Sequence, residues 1–253
     1  MKQRRIRPWI TQVTLLVTLA FGSPAWTDTF NPTRSDDPVP NGCSPGDCSL
    51  REAIIAANET PGVDLIQLAD VTYTLELTGN DTDETGDLDI ESDLMIRGPA
   101  TIDAQGLGRI FDIGEASNVD FVQLVLQNAN TSLATNGALN GGAVEIDEGR
   151  LTVLSSEFRN NRAQSAGGGI YTSGEAILIV ENTLFLGNAA STGAGIFSDG
   201  DVTVHNSRFV ENQAEQRGAA LYVSGTQSDV ALERISLIDN ESGGSGGGAI
   251  LFV

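Results

Sequence analysis

Apolar and polar positions between residues 142 and 250 repeat with a period of about 26 residues. Each repeat holds two small residues followed by an aliphatic one, and successive steps lie 26, 26, 25 and 29 residues apart. The five steps are Gly142-Ala143-Val144, Gly168-Gly169-Ile170, Ala194-Gly195-Ile196, Ala219-Ala220-Leu221 and Gly248-Ala249-Ile250. Self-similarity at this period predicts a solenoid of stacked coils.

A second ladder of residues runs in phase with the first. An aromatic or leucine side chain is followed three residues later by asparagine, in the pairs Phe158/Asn161, Phe185/Asn188, Phe209/Asn212 and Leu237/Asn240. The asparagines are predicted to stack at one corner, to bond along the axis and to adopt left-handed backbone angles there. They form a structural ladder with the three phenylalanines.

The residues seven and five places before each ladder Phe or Leu are aliphatic in all four repeats. They are Leu151 and Val153, Leu178 and Val180, Val202 and Val204, and Val230 and Leu232. Alternate spacing puts each pair on one face of a strand. Each coil is therefore predicted to contain two to three short strands, and the fold class is an all-β parallel β-helix.

Upstream segments resemble earlier coils in looser phase. Leu94 and Ile96, Ile110 and Phe111, and the run from Val119 to Leu126 supply inward aliphatic and aromatic residues. Asn128 stands at the ladder position in this alignment, one residue early, and residues 133–140 are predicted to be an inserted loop. A leucine-rich repeat has a similar period, but its asparagine follows the second leucine by three residues, whereas here the gap is eight.

The first 25 residues have the layout of a secretory signal. Basic residues come first, an apolar run follows from Val13 to Phe21, and Ser23 and Ala25 suit the cleavage positions. The run is too short for a membrane anchor, and the Arg4-Arg5 pair is the only hint of twin-arginine export. We expect residues 1–25 to be a signal peptide, 26–62 an N-terminal cap and 63–253 the β-helix.

Without that signal the chain has 10 arginines and no lysine against 34 acidic residues, a formal charge of −24. Such a field disfavours nucleic acid and anionic membranes as partners, and we expect no membrane insertion by this chain. The two cysteines, Cys43 and Cys48, flank turn-forming residues, which in an exported protein predicts a local disulfide. The alternative, a metal site, lacks further suitably spaced ligands.

An amphipathic helix is predicted from Ser49 to Asn58. Ser49 and Glu52 form a capping box, and Leu50, Ile54 and Ala57 share one apolar face. The open end of a solenoid needs a lid, so this helix is expected to cap the first coil.

The run from Cys48 to Asn58, Cys-Ser-Leu-Arg-Glu-Ala-Ile-Ile-Ala-Ala-Asn, closely resembles the signature of CSLREA-domain proteins. The likeness continues through Pro61 to Ile66, Tyr73 to Leu75, Gly86 to Ile90 and Arg109 to Asp112. These are exported bacterial proteins with right-handed parallel β-helices, so the resemblance implies that fold and an extracellular location.

The later Gly-Gly-Ala-Ile and Phe-x-x-Asn steps are similar to the repeats of polymorphic outer-membrane proteins, which are surface-exposed β-helices implicated in adhesion. Those proteins end in a membrane β-barrel, whereas this sequence ends inside a predicted strand at Val253. We therefore expect either a C-terminal continuation or a second chain over this end, and a location that is secreted or on the bacterial outer membrane.

The sequence offers no residue that stands out as catalytic. His205 is the only histidine and follows the inward Val204, so it is predicted to face solvent. No Gly-x-Ser-x-Gly elbow is present, and the mature chain offers no lysine base. Paired carboxylates could still cleave a glycosidic bond, but sequence cannot choose a pair among 34 acids.

One acidic cluster resembles the start of a calcium loop: Asp81, Asp83, Asp87 and Asp89, with Gly86 at the sixth position. Ser92 stands where a bidentate Glu belongs, so a solvated loop is the competing interpretation. Calcium is the one cofactor the sequence suggests.

Three aromatic residues follow the inward aliphatic residue of the Gly-rich step in successive coils: Tyr171, Phe197 and Tyr222. Alternation places them on the outer face as a surface-binding stripe, or as rings that stack on one another. The sequence thus favours a β-helix with an adhesive, scaffolding or glycan-contacting role and no catalysis of its own. The partners would be glycans or cell-surface proteins, and the alternative is a polysaccharide lyase or glycoside hydrolase on the same scaffold.

Overall fold

The computed structural model describes residues 27–79, 84–114, 117–133, 139–225, 228–244 and 248–253. It contains one α-helix, α1 (Leu50–Asn58), a 3₁₀ turn at Thr131–Leu133 and 23 strands. The strands are β1 Thr29–Phe30, β2 Asp64–Gln67, β3 Thr72–Thr74, β4 Leu88–Ile90, β5 Leu94–Asp103, β6 Phe111–Ile113, β7 Asn118–Gln127, β8 Val144–Ile146, β9 Arg150–Leu154, β10 Glu157–Arg159, β11 Ile170–Thr172, β12 Ile177–Glu181, β13 Leu184–Leu186, β14 Ala189–Thr192, β15 Ile196–Ser198, β16 Asp201–His205, β17 Arg208–Val210, β18 Gln213–Arg217, β19 Leu221–Val223, β20 Val230–Glu233, β21 Ser236–Ile238, β22 Glu241–Ser242 and β23 Ile250–Phe252. The predicted signal peptide lies outside these residues.

The strands form three parallel sheets that wrap one core, which confirms the predicted β-helix. A thirteen-stranded sheet has two arms that meet at β7, one running through β9, β12, β16 and β20 and the other through β10, β13, β17 and β21. A seven-stranded sheet runs in the order β4, β6, β8, β11, β15, β19 and β23, and a short sheet contains β14, β18 and β22. Each strand of a coil pairs with the equivalent strand of the next coil, so the core is a column of equivalent side chains.

The inward positions of the repeat are occupied by the residues that the alternation predicts. Leu151, Leu178 and Val202 are paired across β9, β12 and β16 and are buried. Phe158, Phe185 and Phe209 are also paired in register, with ring centroids 4.9 and 4.7 Å apart and nearly parallel planes. In the last coil, Val230 and Leu237 are 37% and 40% exposed because no further coil in the described chain covers them.

Two early strands differ from the prediction of short strands. β5 and β7 each run for ten residues and span both arms of the large sheet, and their register shifts once between Arg97 and Ala100. From β9 onward the same path is divided into two strands by a residue with positive φ, such as Ser155 at 50°. Gln123 has φ 57° within β7, so the backbone bends there without interrupting the strand.

The asparagine ladder is present, but the left-handed residues are its neighbours. Asn160 (φ 54°), Gly187 (φ 64°) and Glu211 (φ 55°) precede the ladder asparagines and make the turn. The ladder asparagines themselves lie inside the coil, where Asn161, Asn188 and Asn212 are fully buried and Asn240, in the last coil, is half-buried. The prediction of left-handed angles at Asn161, Asn188, Asn212 and Asn240 was therefore wrong. The residue before each asparagine makes the bend, and the asparagine points its side chain inward.

The upstream coil is in phase with the later ones, which corrects its alignment. Gln127 pairs with Arg159, so Asn128 (φ 57°) corresponds to Asn160 and is the turn residue. The ladder position is occupied by Ala129, whose N–H donates to Asn161 Oδ1 at 3.0 Å. Two adjacent residues share the corner, so the sequence alone does not separate the turn residue from the ladder residue.

Helix α1 covers the first coil and begins with the predicted capping box. Ser49 accepts from the Glu52 N–H and the Glu52 carboxylate accepts from the Ser49 N–H at 2.7 Å. Ala53, Ile54 and Ala57 are buried against the core. The Cys43–Cys48 disulfide is formed directly before the helix. Among the described residues no helix is long and apolar enough to cross a membrane.

Candidate functional site

The seven-stranded sheet presents one outward side chain from each of its three-residue strands. The central residues are in continuous register, and both flanking residues of most strands point into the core. We call this set the outer row: Asp89, Asp112, Glu145, Tyr171, Phe197, Tyr222 and Leu251. Neighbouring members are separated by one strand spacing of about 4.8 Å. The row is acidic near the capped end and aromatic farther along.

The aromatic half of the outer row consists of stacked rings. Ring centroids of Tyr171 and Phe197 are 5.2 Å apart and those of Phe197 and Tyr222 are 5.1 Å apart, with planes inclined by 16° and 14°. All three residues are half-buried. The two faces of Phe197 are thus covered by its neighbours, and the stack offers ring edges along its outer side. The aromatic stripe is on the outer face as expected, and its rings also pack on one another.

The acidic half of the outer row is organised by the buried guanidinium of Arg109. Arg109 Nη2 lies 2.7 Å from a Glu145 carboxylate oxygen, its Nε lies 3.2 Å from Asp87 Oδ2, and its Nη1 donates to Asp112. Only 4% of the Arg109 side chain is exposed. One cation therefore joins carboxylates from three successive coils, which fixes the position of Asp112 and Glu145 on the surface.

Carboxylates along this face alter each other's titration. Burial raises the pKa of Glu145, an effect that Arg109 opposes. Burial also raises the pKa of Tyr171, and the charges of Asp199, Glu145 and Asp147 raise it further. Burial raises the pKa of Asp199 as well. The face can therefore hold a proton on a carboxyl group more readily than an exposed acid would.

Two of the four residues suggested for calcium, Asp87 and Asp89, have different surroundings in the structure. Asp81 and Asp83 lie outside the described residues. Asp87 is buried beside Arg109, whereas Asp89 belongs to the outer row. In the described part of the chain no three His, Cys, Asp or Glu side chains are arranged to hold a metal ion. Calcium binding by the whole loop stays a prediction.

The ladder residues Asn161, Asn188, Asn212 and Asn240 line up along the axis inside the coil. The Asn188 oxygen accepts from the Asn161 N–H and side-chain amide at 3.0 and 3.1 Å, and Asn188 donates to Asn212 in the same way at 3.1 and 3.0 Å. Asn188 also donates to the Phe158 carbonyl at 3.0 Å. These buried amides satisfy one another, which gives them a structural role.

His205 lies on the outer face of β16. Its Nε2 is 3.3 Å from Glu233 and its Nδ1 is 3.9 Å from Glu181, which come from the coils on either side. No hydroxyl nucleophile is paired with it among its described hydrogen bonds. This position matches the solvent-facing placement expected from the sequence.

Sequence reasoning missed the two buried arginines. Arg51 is 1% exposed and donates to both oxygens of Asp37 at 2.8 and 3.0 Å and to the Asp87 and Gly86 carbonyls. Arg51 lies on the predicted cap helix and Arg109 directly before an apolar pair. An arginine inside an otherwise apolar pattern was the available signal, because such a residue is buried only with partners.

Parallel strands, one buried cap and a column of inward aliphatic residues define the class of β-solenoid proteins. The chain belongs to the right-handed β-helix family, whose model, described as right handed beta helix region, matches residues 114–251. Searches among curated proteins and among solved structures gave no significant match.

Proposed function

We propose that this protein is an exported β-helix, secreted or held on the bacterial outer membrane, that contacts glycans or cell-surface proteins and catalyses no reaction of its own. The observation that carries the proposal is the outer row. It is a continuous line of acidic and aromatic side chains on one face, in register over the seven strands of the sheet.

The outer row is suited to contact with an extended partner. Aromatic and carboxylate side chains repeat at the strand spacing, so a partner lying along the axis would meet a similar group at each coil. The stacked rings of Tyr171, Phe197 and Tyr222 are held rigid by each other, so little side-chain freedom would be lost on binding.

Export is supported by the sequence and by the cap. The first 25 residues have signal-peptide layout, and the Cys43–Cys48 disulfide is of the kind that persists in oxidising compartments. The strongly acidic, lysine-free mature chain suits a protein that is exposed to the medium outside the cell.

The resemblances to CSLREA-domain proteins and to polymorphic outer-membrane proteins are also part of the proposal. Cys48 to Asn58 resembles the CSLREA signature, and in the structure this segment is the capping helix whose Arg51 and Glu52 are buried. The Phe-x-x-Asn steps resemble repeats of polymorphic outer-membrane proteins, and here they form the stacked Phe and Asn columns. These resemblances are consistent with a surface role of the adhesin type.

The test is the binding of the folded protein to bacterial and host cells and to immobilised glycans. The variant Tyr171→Ser/Phe197→Ser/Tyr222→Ser is expected to lose at least 10-fold in apparent affinity. The matched control, Leu154→Ser/Ile179→Ser, removes half-buried apolar residues from the outer face of a different sheet. Equal binding by both variants and the wild type would contradict a role for the outer row.

A second candidate function is glycoside hydrolysis, favoured by the adjacent carboxyl groups of Asp112 and Glu145. They occupy neighbouring coils, both contact Arg109, and burial raises the pKa of Glu145. A strand spacing of about 4.8 Å is close to the ~5 Å that separates the carboxyl groups of retaining glycosidases. Glu145 would be the acid and Asp112 the nucleophile.

Hydrolysis is tested by reducing-end release from a panel of polysaccharides. An activity that Glu145→Gln and Asp112→Asn each reduce by 100-fold or more would establish this function. Activity that survives both substitutions would be assigned to a contaminant, and absence of product from every polysaccharide would leave the non-catalytic role.

A further inference from the structure

A second axial feature lies on the large sheet, at the corner where its two arms meet. Each coil passes this corner through two residues, of which the first has positive φ: Gln123 (57°), Ser155 (50°), Asn182 (52°), Asn206 (48°) and Arg234 (51°). Register on both sides of the corner aligns them, because Leu154 pairs with Glu181 and Glu157 pairs with Leu184. We call this set the corner column.

The second residue of each pair turns inward and holds the corner rigid. Ser156 accepts from the Leu124 N–H at 3.1 Å, and Ser207 accepts from the Thr183 N–H at 3.2 Å. The hydroxyl groups of Ser156, Thr183 and Ser207 each donate to the carbonyl two residues earlier. Asn182 and Asn206 are therefore exposed side chains on a backbone that the buried hydroxyls fix.

A groove of about 360 Å³ runs along this corner. The corner column, with Gln123, Ser155, Asn182 and Asn206, forms one wall, and the outward residues Val125, Glu157, Leu184 and Arg208 form the other. Its polar groups are hydroxyls and carboxamides with one acid and one base. The groove is thus close to neutral on a protein whose formal charge is −20.

The backbone N–H groups along the groove already donate hydrogen bonds to the next coil of the sheet. The N–H groups of Ser155, Asn182 and Asn206 donate to Glu181, His205 and Glu233 carbonyls at 3.0 to 3.1 Å. Added β-strands therefore have no free N–H groups here to pair with, and recognition falls to side chains. Asn206 Oδ1 accepts from Arg234, which leaves its amide nitrogen as a donor, while Asn182 donates to Glu181 and keeps its oxygen as an acceptor.

We infer that this groove binds an extended, uncharged glycan whose axis follows the β-helix. Sugar hydroxyls donate and accept, as carboxamides and serine hydroxyls do, and the apolar Val125 and Leu184 give a surface for the ring carbons. Members of the corner column recur at about 4.8 Å, so each coil offers one polar group to a regular polymer. Anionic polymers are disfavoured by the overall charge. The inference rests on the proposed glycan-contacting role and adds to it a second place, separate from the outer row, and a ligand class.

The test uses affinity electrophoresis of the folded, disulfide-bonded protein through gels containing mixed-linkage β-glucan, galactomannan or dextran. Polygalacturonate and chitosan serve as charged comparisons. The variant Asn182→Gly/Asn206→Gly removes both carboxamides and preserves positive φ, which glycine adopts without strain. Retardation of the wild type by a neutral polymer is expected, with at least 10-fold weaker affinity in this variant.

Asn160→Gly is the matched control, because Asn160 is also exposed and has φ 54° but lies at the other end of β10. It is expected to bind as the wild type does, and equal losses in both variants would overturn the inference. The inference would also be overturned if only the triple serine variant of the outer row lost binding, although the proposed function would then stand. Binding restricted to charged polymers would overturn the groove alone, and absence of binding to any glycan or cell would remove both.

Discussion

The capped end and the repeated coils are held together by different chemistry. Around helix α1 and the first coils, Arg51 and Arg109 are buried and bind several acidic or carbonyl oxygens. From β9 onward the core contains neutral columns of Phe, Asn and hydroxyl groups that bond to the equivalent residue of the next coil. The cap thus depends on unique contacts, whereas each coil repeats those of its neighbours.

This difference indicates which parts of the molecule tolerate the replacement of a single residue. A neutral column loses one link when one residue is replaced, and the links on either side persist. A buried arginine has no equivalent in another coil, so its loss leaves buried or half-buried carboxylates without their cation. The variants below test this contrast from the largest expected effect to the smallest.

Arg51→Met is expected to destabilise the protein most, by about 3–5 kcal/mol, because the buried Asp37 carboxylate loses its cation. Urea unfolding followed by circular dichroism measures the loss. Arg34→Met removes a half-buried, solvent-accessible arginine paired with Asp36 and Asp47 and should leave the midpoint nearly unchanged. Equal midpoints for both variants would show that the cap does not depend on its buried ion pair.

Asn188→Ala interrupts the middle of the asparagine ladder and is expected to cost about 3 kcal/mol, since it leaves buried amide and carbonyl groups without partners. Asn240→Ala removes the last, partly exposed member and should cost less. The ratio of the two losses in urea unfolding reports how strongly burial sets the strength of each link. A larger loss for Asn240→Ala would contradict the description of the ladder.

Phe185→Leu tests the ring column, with an expected loss of about 1.5 kcal/mol. The same position is occupied by Leu126 in an earlier coil and Leu237 in the last one, so leucine fits the coil. Thermal unfolding of the variant should stay cooperative with a lower midpoint. A loss as large as that of Arg51→Met would remove the contrast between the two regions.

The smallest effect is on pH dependence. Burial raises the pKa values of Glu145 and Asp199, so the folded state binds protons more tightly than the unfolded state does. Stability should therefore fall as pH rises from their ordinary values of 4.5 and 3.8 through the raised folded pKa. Glu145→Gln/Asp199→Asn should flatten the profile of unfolding free energy between about pH 4 and 7. A steeper decline in the variant would reverse the sign assigned here.

The sequence predicted the repeat well because periodicity reports which side chains face the core. Leu178 and Val180 could be placed from alternation alone, and Ser49 with Glu52 marked the start of the helix. Asn160 and Asn161 could not be separated by pattern, since asparagine suits both a left-handed turn and a buried ladder. Arg109 was hidden because its acidic partners come from different coils, and pairing across coils depends on register. The corner column escaped notice because its members share backbone angle but not residue type.

Because equivalent residues meet only those of the adjoining coil, the length of this molecule is a separable property. Duplicating one repeat unit, such as residues 161–187, would restore the ring, amide and hydroxyl contacts on both sides of the insertion. The reach of the protein from its capped base could thus lengthen by one strand spacing at a time. Evolution could adjust that reach by gene-segment duplication while leaving the cap untouched.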